Sequence, residues 1–170
     1  TAASINVPTE PLTAVSGTVA QTFNNNRFYE SVQGNVNNVK NGYPKVTSYG
    51  PYFQSTTYDV DTYIGSGYFD SGSDVRTAAD SDEFDLADKD FTIEAWVYMT
   101  STDSAEDYVW GQYDASFRSV NLSIIPDSFM KMYGNYDNST SIATDFSDTV
   151  VPTNAWTHVA LERTNGFIKA

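Results

Sequence analysis

A chain of 170 residues has room for one ordinary domain plus an arm, or for two very small domains. It holds no cysteine, which excludes disulfides and thiolate metal centres. No apolar run reaches the length of a membrane-spanning helix, and a net charge of −13 argues against nucleic acid or an anionic membrane as a partner.

The charge is unevenly placed. Residues 1–56 carry Glu10 and Glu30 against Arg27, Lys40 and Lys45, so the excess acid lies in residues 57–170. Two explanations stand: adaptation to a salty medium, where acidic surfaces are screened, or calcium binding. Aromatic residues make up 15% of the chain, while leucine occurs only at Leu12, Leu86, Leu122 and Leu161. Short runs of Val, Ile, Thr, Tyr and Phe suit a pleated, half-buried surface, and little repeats at helical spacing. The composition predicts an all-β fold.

In chain order, residues 1–20 are small, polar and twice interrupted by proline, the pattern of an extended arm or linker. Short candidate strands follow between Phe23 and Val39, broken by asparagine and glycine. Residues 41–65 mix turn formers with tyrosines and read as a long surface connection. Regular patterning begins at Gly67–Asp70 and Val75–Ala78. It is strongest at 90–98, where Phe91, Ile93, Ala95 and Val97 share one face and Thr92, Glu94, Trp96 and Tyr98 the other. Further strands are predicted near 107–112, 117–125, 129–136 and 156–163. Turn signals between them give the spacing of a β-sandwich. Asn165-Gly166 is the dipeptide of a type I′ hairpin, and the four residues after it are too few for a full returning strand. The expectation is a sandwich whose last strands lie beyond the sequence, with residues 1–20 as arm and 21–170 as the domain.

Three blocks occur in a telling order: Gly67-Tyr-Phe-Asp-Ser-Gly-Ser-Asp74, Asp90-Phe-Thr-Ile-Glu-Ala-Trp-Val97 and Asn154-Ala-Trp-Thr-His-Val-Ala-Leu161. Together they resemble the laminin-G-like, concanavalin A-like lectin jelly rolls, in the form found in marine phage virion proteins. Asp70-Ser71-Gly72 stands where the family often has Asp-Gly directly. The resemblance spans residues 21–170 and is carried by 66–170. It implies an antiparallel β-sandwich and raises the prospect of one bound calcium ion.

His158, the single histidine, sits mid-strand and reads as a structural residue hydrogen-bonded to backbone; no nucleophile elbow accompanies it. Glycosidases need two carboxylates at a set separation. Glu94 is followed by Ala-Trp-Val-Tyr, so the paired acids of related enzymes are missing, and Glu94 reads as a solvated or hydrogen-bonded strand residue. Calcium needs six to eight oxygens. Asp59 with Asp61, Asp70 with Asp74, and the run Asp80, Asp82, Glu83, Asp85, Asp88 and Asp90 are the acidic candidates, of which Asp70 and Asp74 are chosen. Sugar recognition needs aromatic faces beside amides and carboxylates. Tyr133, Asn135, Tyr136 and Asp137 fit that description as loop residues, with Tyr113 and Asn138 nearby.

The expected function is non-enzymatic: a virion surface protein, tail fibre or head decoration, displaying a carbohydrate- or receptor-binding jelly roll. Its partners would be other virion structural proteins, held through the arm, and host-surface glycans. A symmetric homo-oligomer would raise avidity. A secreted cellular lectin or adhesin is the second reading, and a polysaccharide-cleaving enzyme the third.

Overall fold

The computed structural model describes residues 6–19, 21, 39–52, 65–70, 74–76, 84, 86, 89–100, 105–111, 120–126, 129–137, 140–146, 148 and 150–170, with side chains at 39–41, 74–76, 135–137 and 140–143 left outside the description. The chain divides into two compact units, Thr1–Ser81 and Asp82–Ala170.

The first unit holds four short strands: β1 (Val39–Asn41), β2 (Lys45–Thr47), β3 (Ser66–Tyr68) and β4 (Asp74–Arg76). They form two antiparallel ribbons, β1 with β4 and β2 with β3. β2 lies within the segment predicted to be a long connection. Its three residues are too few to show a period, and its partner β3 is distant in sequence. Ser66 helps close this ribbon by donating its hydroxyl to the Tyr49 carbonyl. Residues 6–19 contain no strand. They turn at Ser16-Gly17, where Thr18 N–H meets the Val15 carbonyl at 3.0 Å, and leave Val7 and Val15 exposed.

The second unit carries the long strands: β5 (Phe91–Tyr98), β6 (Asp107–Gly111), β7 (Val120–Ile124), β8 (Met130–Asp137), β9 (Thr140–Phe146), β10 (Trp156–Thr164) and β11 (Phe167–Lys169). One sheet runs β11-β10-β5 and the other β6-β7-β8-β9, every pairing antiparallel. No α-helix occurs among the described residues. The all-β expectation holds, and the strands near 90–98, 107–112, 117–125, 129–136 and 156–163 are found close to their expected bounds.

The core lies between these two sheets. Leu122, Ile124, Met130, Met132, Val151, Val159 and Leu161 are buried together, and Phe91, Ile93, Ala95 and Val97 pack on them from β5. Strict alternation produces this arrangement, because successive strand side chains point to opposite faces. Each fully buried aliphatic side chain contributes about 1.5–3 kcal/mol.

β10 is positioned at both ends. Asn154, in the left-handed region at φ 59, turns the chain into it, and its N–H donates to the Met99 carbonyl at 2.8 Å. At the far end Asn165 (φ 50) and Gly166 (φ 80) form the expected hairpin. Both central residues are left-handed, as a type I′ turn requires, and Thr164 pairs with Phe167. Asp90 accepts the Asn165 N–H at 2.9 Å, while Arg163 Nη1 donates to the Lys89 carbonyl at 2.7 Å. Asp90, considered above among the calcium acids, thus holds the turn.

β9 was not anticipated. Thr-Ser-Ile-Ala-Thr-Asp-Phe has few large apolar residues, and its strand character comes from pairing with β8 along seven residues.

Candidate functional site

A β-bulge sorts the aromatics of β6. Tyr108 pairs with Ser123 and Trp110 with Leu122, leaving Val109 as the extra residue. Without it, Tyr108 and Trp110 would share a face. With it, Trp110 turns inward onto the core, its ring centroid 5.7 Å from that of Phe84, and Tyr108 turns outward, 63% exposed.

The outward face of the four-stranded sheet then assembles by register. Ser123 lies opposite both Tyr108 and Lys131, and Asn121 opposite both Gly111 and Tyr133. Lys131 also faces Asp145. Lys131 Nζ donates to Glu106 Oε1 at 2.7 Å, and the Tyr108 hydroxyl donates to Glu106 Oε2 at 3.2 Å. The buried Ser123 hydroxyl is shared between Glu106 Oε2 and the Lys131 carbonyl, each at 3.4 Å. Tyr133 stands 37% exposed on the same face. Gly111 leaves space that Asn121 occupies, since a Cβ there would meet Asn121 Oδ1 at 3.1 Å.

The electrostatics follow from these contacts. The hydrogen bond from Lys131 holds the Glu106 carboxyl below its ordinary value, against some desolvation. The same bond raises Lys131, with Asp145 adding to it. Partial desolvation first, then the Glu106 charge, push the Tyr108 phenol up. Glu106 is therefore fixed as an anion that collects three donors. The face presents tyrosine rings around a paired polar centre.

The outward face of the three-stranded sheet is built differently. Trp96, Tyr98, Trp156 and His158 meet there, Trp96 to His158 at 5.4 Å and Tyr98 to Trp156 at 5.5 Å between ring centroids. His158 Nε2 lies 3.1 Å from Glu94 Oε2. The expectation of a backbone partner for His158 is corrected: register places Glu94 diagonally across from it on the same face, within reach of a side chain. Glu94 is hydrogen-bonded, as expected.

Of the residues chosen for sugar binding, Tyr133 lies in the middle of β8 rather than in a loop, and Asn135, Tyr136 and Asp137 form the end of that strand. The register shifts between Asn135 and Asp137; the side chains of these three lie outside the description, as do Tyr113 and Asn138. Of the calcium pair, Asp70 is exposed just after β3 and Asp74 opens β4 opposite Asn41, the Asp74 side chain being outside the description. Asp59, Asp61, Asp80, Asp82, Glu83, Asp85 and Asp88 lie outside it too. Among the described residues, no three His, Cys, Asp or Glu side chains converge as metal ligands would.

Sequence reasoning missed Glu106, Tyr108, Ser123 and Lys131. Glu106 lies just before β6 and the other three come from β6, β7 and β8, so only the pairing register brings them together.

Two antiparallel sheets packed through an aliphatic core, with polar and aromatic outer faces, define a lectin-type β-sandwich. The family model described as the concanavalin A-like lectin/glucanases superfamily matches residues 69–169. This chain belongs to that family. Neither the curated proteins nor the solved structures yielded a match.

Proposed function

We propose that this chain is a non-enzymatic carbohydrate-binding module, and that it binds through the outward face of the β6-β7-β8-β9 sheet. The supporting observation is the placement of exposed Tyr108 and Tyr133 around the Glu106–Lys131 pair. Aromatic rings offer apolar faces that stack on sugar C–H surfaces, and the ammonium has donors to spare for hydroxyls. The state of Glu106 counts against its serving as a general acid. An acid catalyst needs a raised pKa and a second carboxylate at a working separation, whereas Glu106 is held low by three donors. A glycan array probed with the full chain tests the reading: sugar binding that is lost in Tyr108→Ala supports it, and silence across the array removes it.

The finer part of the proposal is display on a virion, as tail fibre or head decoration, with residues 1–20 gripping neighbouring subunits and copies acting together. The exposed Val7 and Val15 on a strand-free segment support an arm with apolar surface to offer. Immunogold labelling of purified particles tests it; label confined to a cellular secreted fraction would favour a secreted lectin. A calcium ion, if bound, is assigned to Asp70 and Asp74. A melting temperature unmoved by calcium or chelator would strike it from the proposal.

A further inference from the structure

Resting on the carbohydrate reading, we infer that the four-stranded face takes an uncharged, extended glycan of several units and discriminates against acidic ones. The geometry sets the length. Tyr108 lies level with Ser123, and Tyr133 level with Asn121, two strands away and two residues along. Strand spacing and rise put their Cα atoms about 12 Å apart on the diagonal. One pyranose ring cannot cover both tyrosines, so a ligand that uses both is a chain stacking two separated units, with those between lying over Ser123, Lys131 and Asn121.

The charge sets the class. The centre of the face holds Glu106, Lys131 and Asp145, one cation among two carboxylates. Lys131 gives one donor to Glu106 and keeps two, enough for hydroxyls or ring oxygens. A uronate or sulfate would have to take Lys131 from Glu106. That would leave an anionic Glu106, with Asp145 close by, against the ligand's own charge. The chain's net charge of −13 repels such a ligand at longer range as well. A neutral chain meets neither cost.

The test is calorimetry on the full chain with glucan, mannan and galactan oligosaccharides from disaccharide to hexasaccharide, beside alginate oligomers of the same lengths, at low and high salt. At least one neutral hexasaccharide is expected to bind about tenfold or more tighter than its disaccharide, and about tenfold or more tighter than the alginate hexamer at low salt, the second gap narrowing as salt screens repulsion. Tyr108→Ala and Tyr133→Ala should each weaken the hexasaccharide by about tenfold, and Glu106→Gln should raise alginate affinity by freeing Lys131. Alginate binding as tight as the neutral chain, or affinity independent of length, overturns the inference while sugar binding itself stands. Absence of binding to every oligosaccharide overturns both. The charge and length comparisons use the unaltered chain, so a variant that fails to fold does not spoil them.

Discussion

The two outward faces of the second unit are laid out by strand pairing and carry the same kind of contact, a basic side chain against a glutamate. They differ in the base. On the three-stranded sheet the His158 side chain is 3% exposed and lies against Trp96, although its partner Glu94 is 36% exposed. On the four-stranded sheet both Lys131 and Glu106 share their contact with water, at 27% and 30% exposure, beside a tyrosine that is mostly free of cover. A base buried against an aromatic ring is part of the packing and cannot trade its partner cheaply. A solvent-shared pair contributes little to stability, which leaves its donors available to a ligand. The difference separates a face that is part of the packing from the face proposed to bind sugar.

The largest expected effect erases the comparison altogether. Leu122→Ala or Leu161→Ala removes a fully buried side chain between the sheets and should cost about 2–5 kcal/mol in urea unfolding, weakening both faces together. A variant that unfolds the four-stranded sheet while sparing the other, seen by residue-resolved hydrogen exchange, would show that the faces do not share one core.

Next comes the direct contrast. His158→Ala should destabilise by about 2 kcal/mol, from the lost packing of a buried ring against Trp96. Lys131→Ala should change stability less than this while altering glycan binding more. Equal losses of stability in the two variants would break the distinction. Smaller again is Gly166→Ala. The site is open, but φ is +80, so strain alone should cost about 1 kcal/mol, measurable by chemical denaturation and without effect on the four-stranded face.

The two faces also differ in how far they could be read from sequence. The 90–98 run states its own alternation, and Asn165-Gly166 states its own turn, so β5, β10 and the hairpin were legible from local pattern. The aromatic face of that sheet was legible too, because Trp96 and Trp156 fall at fixed parity on strongly periodic strands. The other face was not. Tyr108 and Trp110 have the same parity, and only a bulge, which leaves no clear mark in Asp-Tyr-Val-Trp-Gly, sends them to opposite sides. Glu106 meets Lys131, 25 positions further along the chain, a contact set by the β6-β7-β8 register. Tyr133 was identified as a candidate and lies inside the strand predicted near 129–136, but which face it shares depends on the pairing of β8 with β7 and β9, and β9 has too little apolar character to announce itself.

The smallest expected effect is the pH dependence of the four-stranded face, and its sign distinguishes a held carboxylate from a merely nearby one. Glu106 is depressed below the ordinary glutamate value of 4.5, chiefly by the Lys131 hydrogen bond. A group lowered in the folded state contributes stability that is complete above its unfolded value and is lost as pH falls through its native one. The stability difference between the wild type and Glu106→Gln should therefore be constant near neutrality and shrink as pH drops below 4.5. At the alkaline end Lys131 and Tyr108 are both raised, from 10.5 and 10.0, so their contributions hold up to those values and fall as pH rises past them. Tyrosinate absorbance followed in wild type and Tyr108→Phe reports that limb separately. If the Glu106→Gln difference instead grew toward acid, the carboxylate would be disfavoured in the folded state. The polar centre would then be a strained cluster with every reason to release Lys131, and the preference for neutral ligands would lose its electrostatic basis.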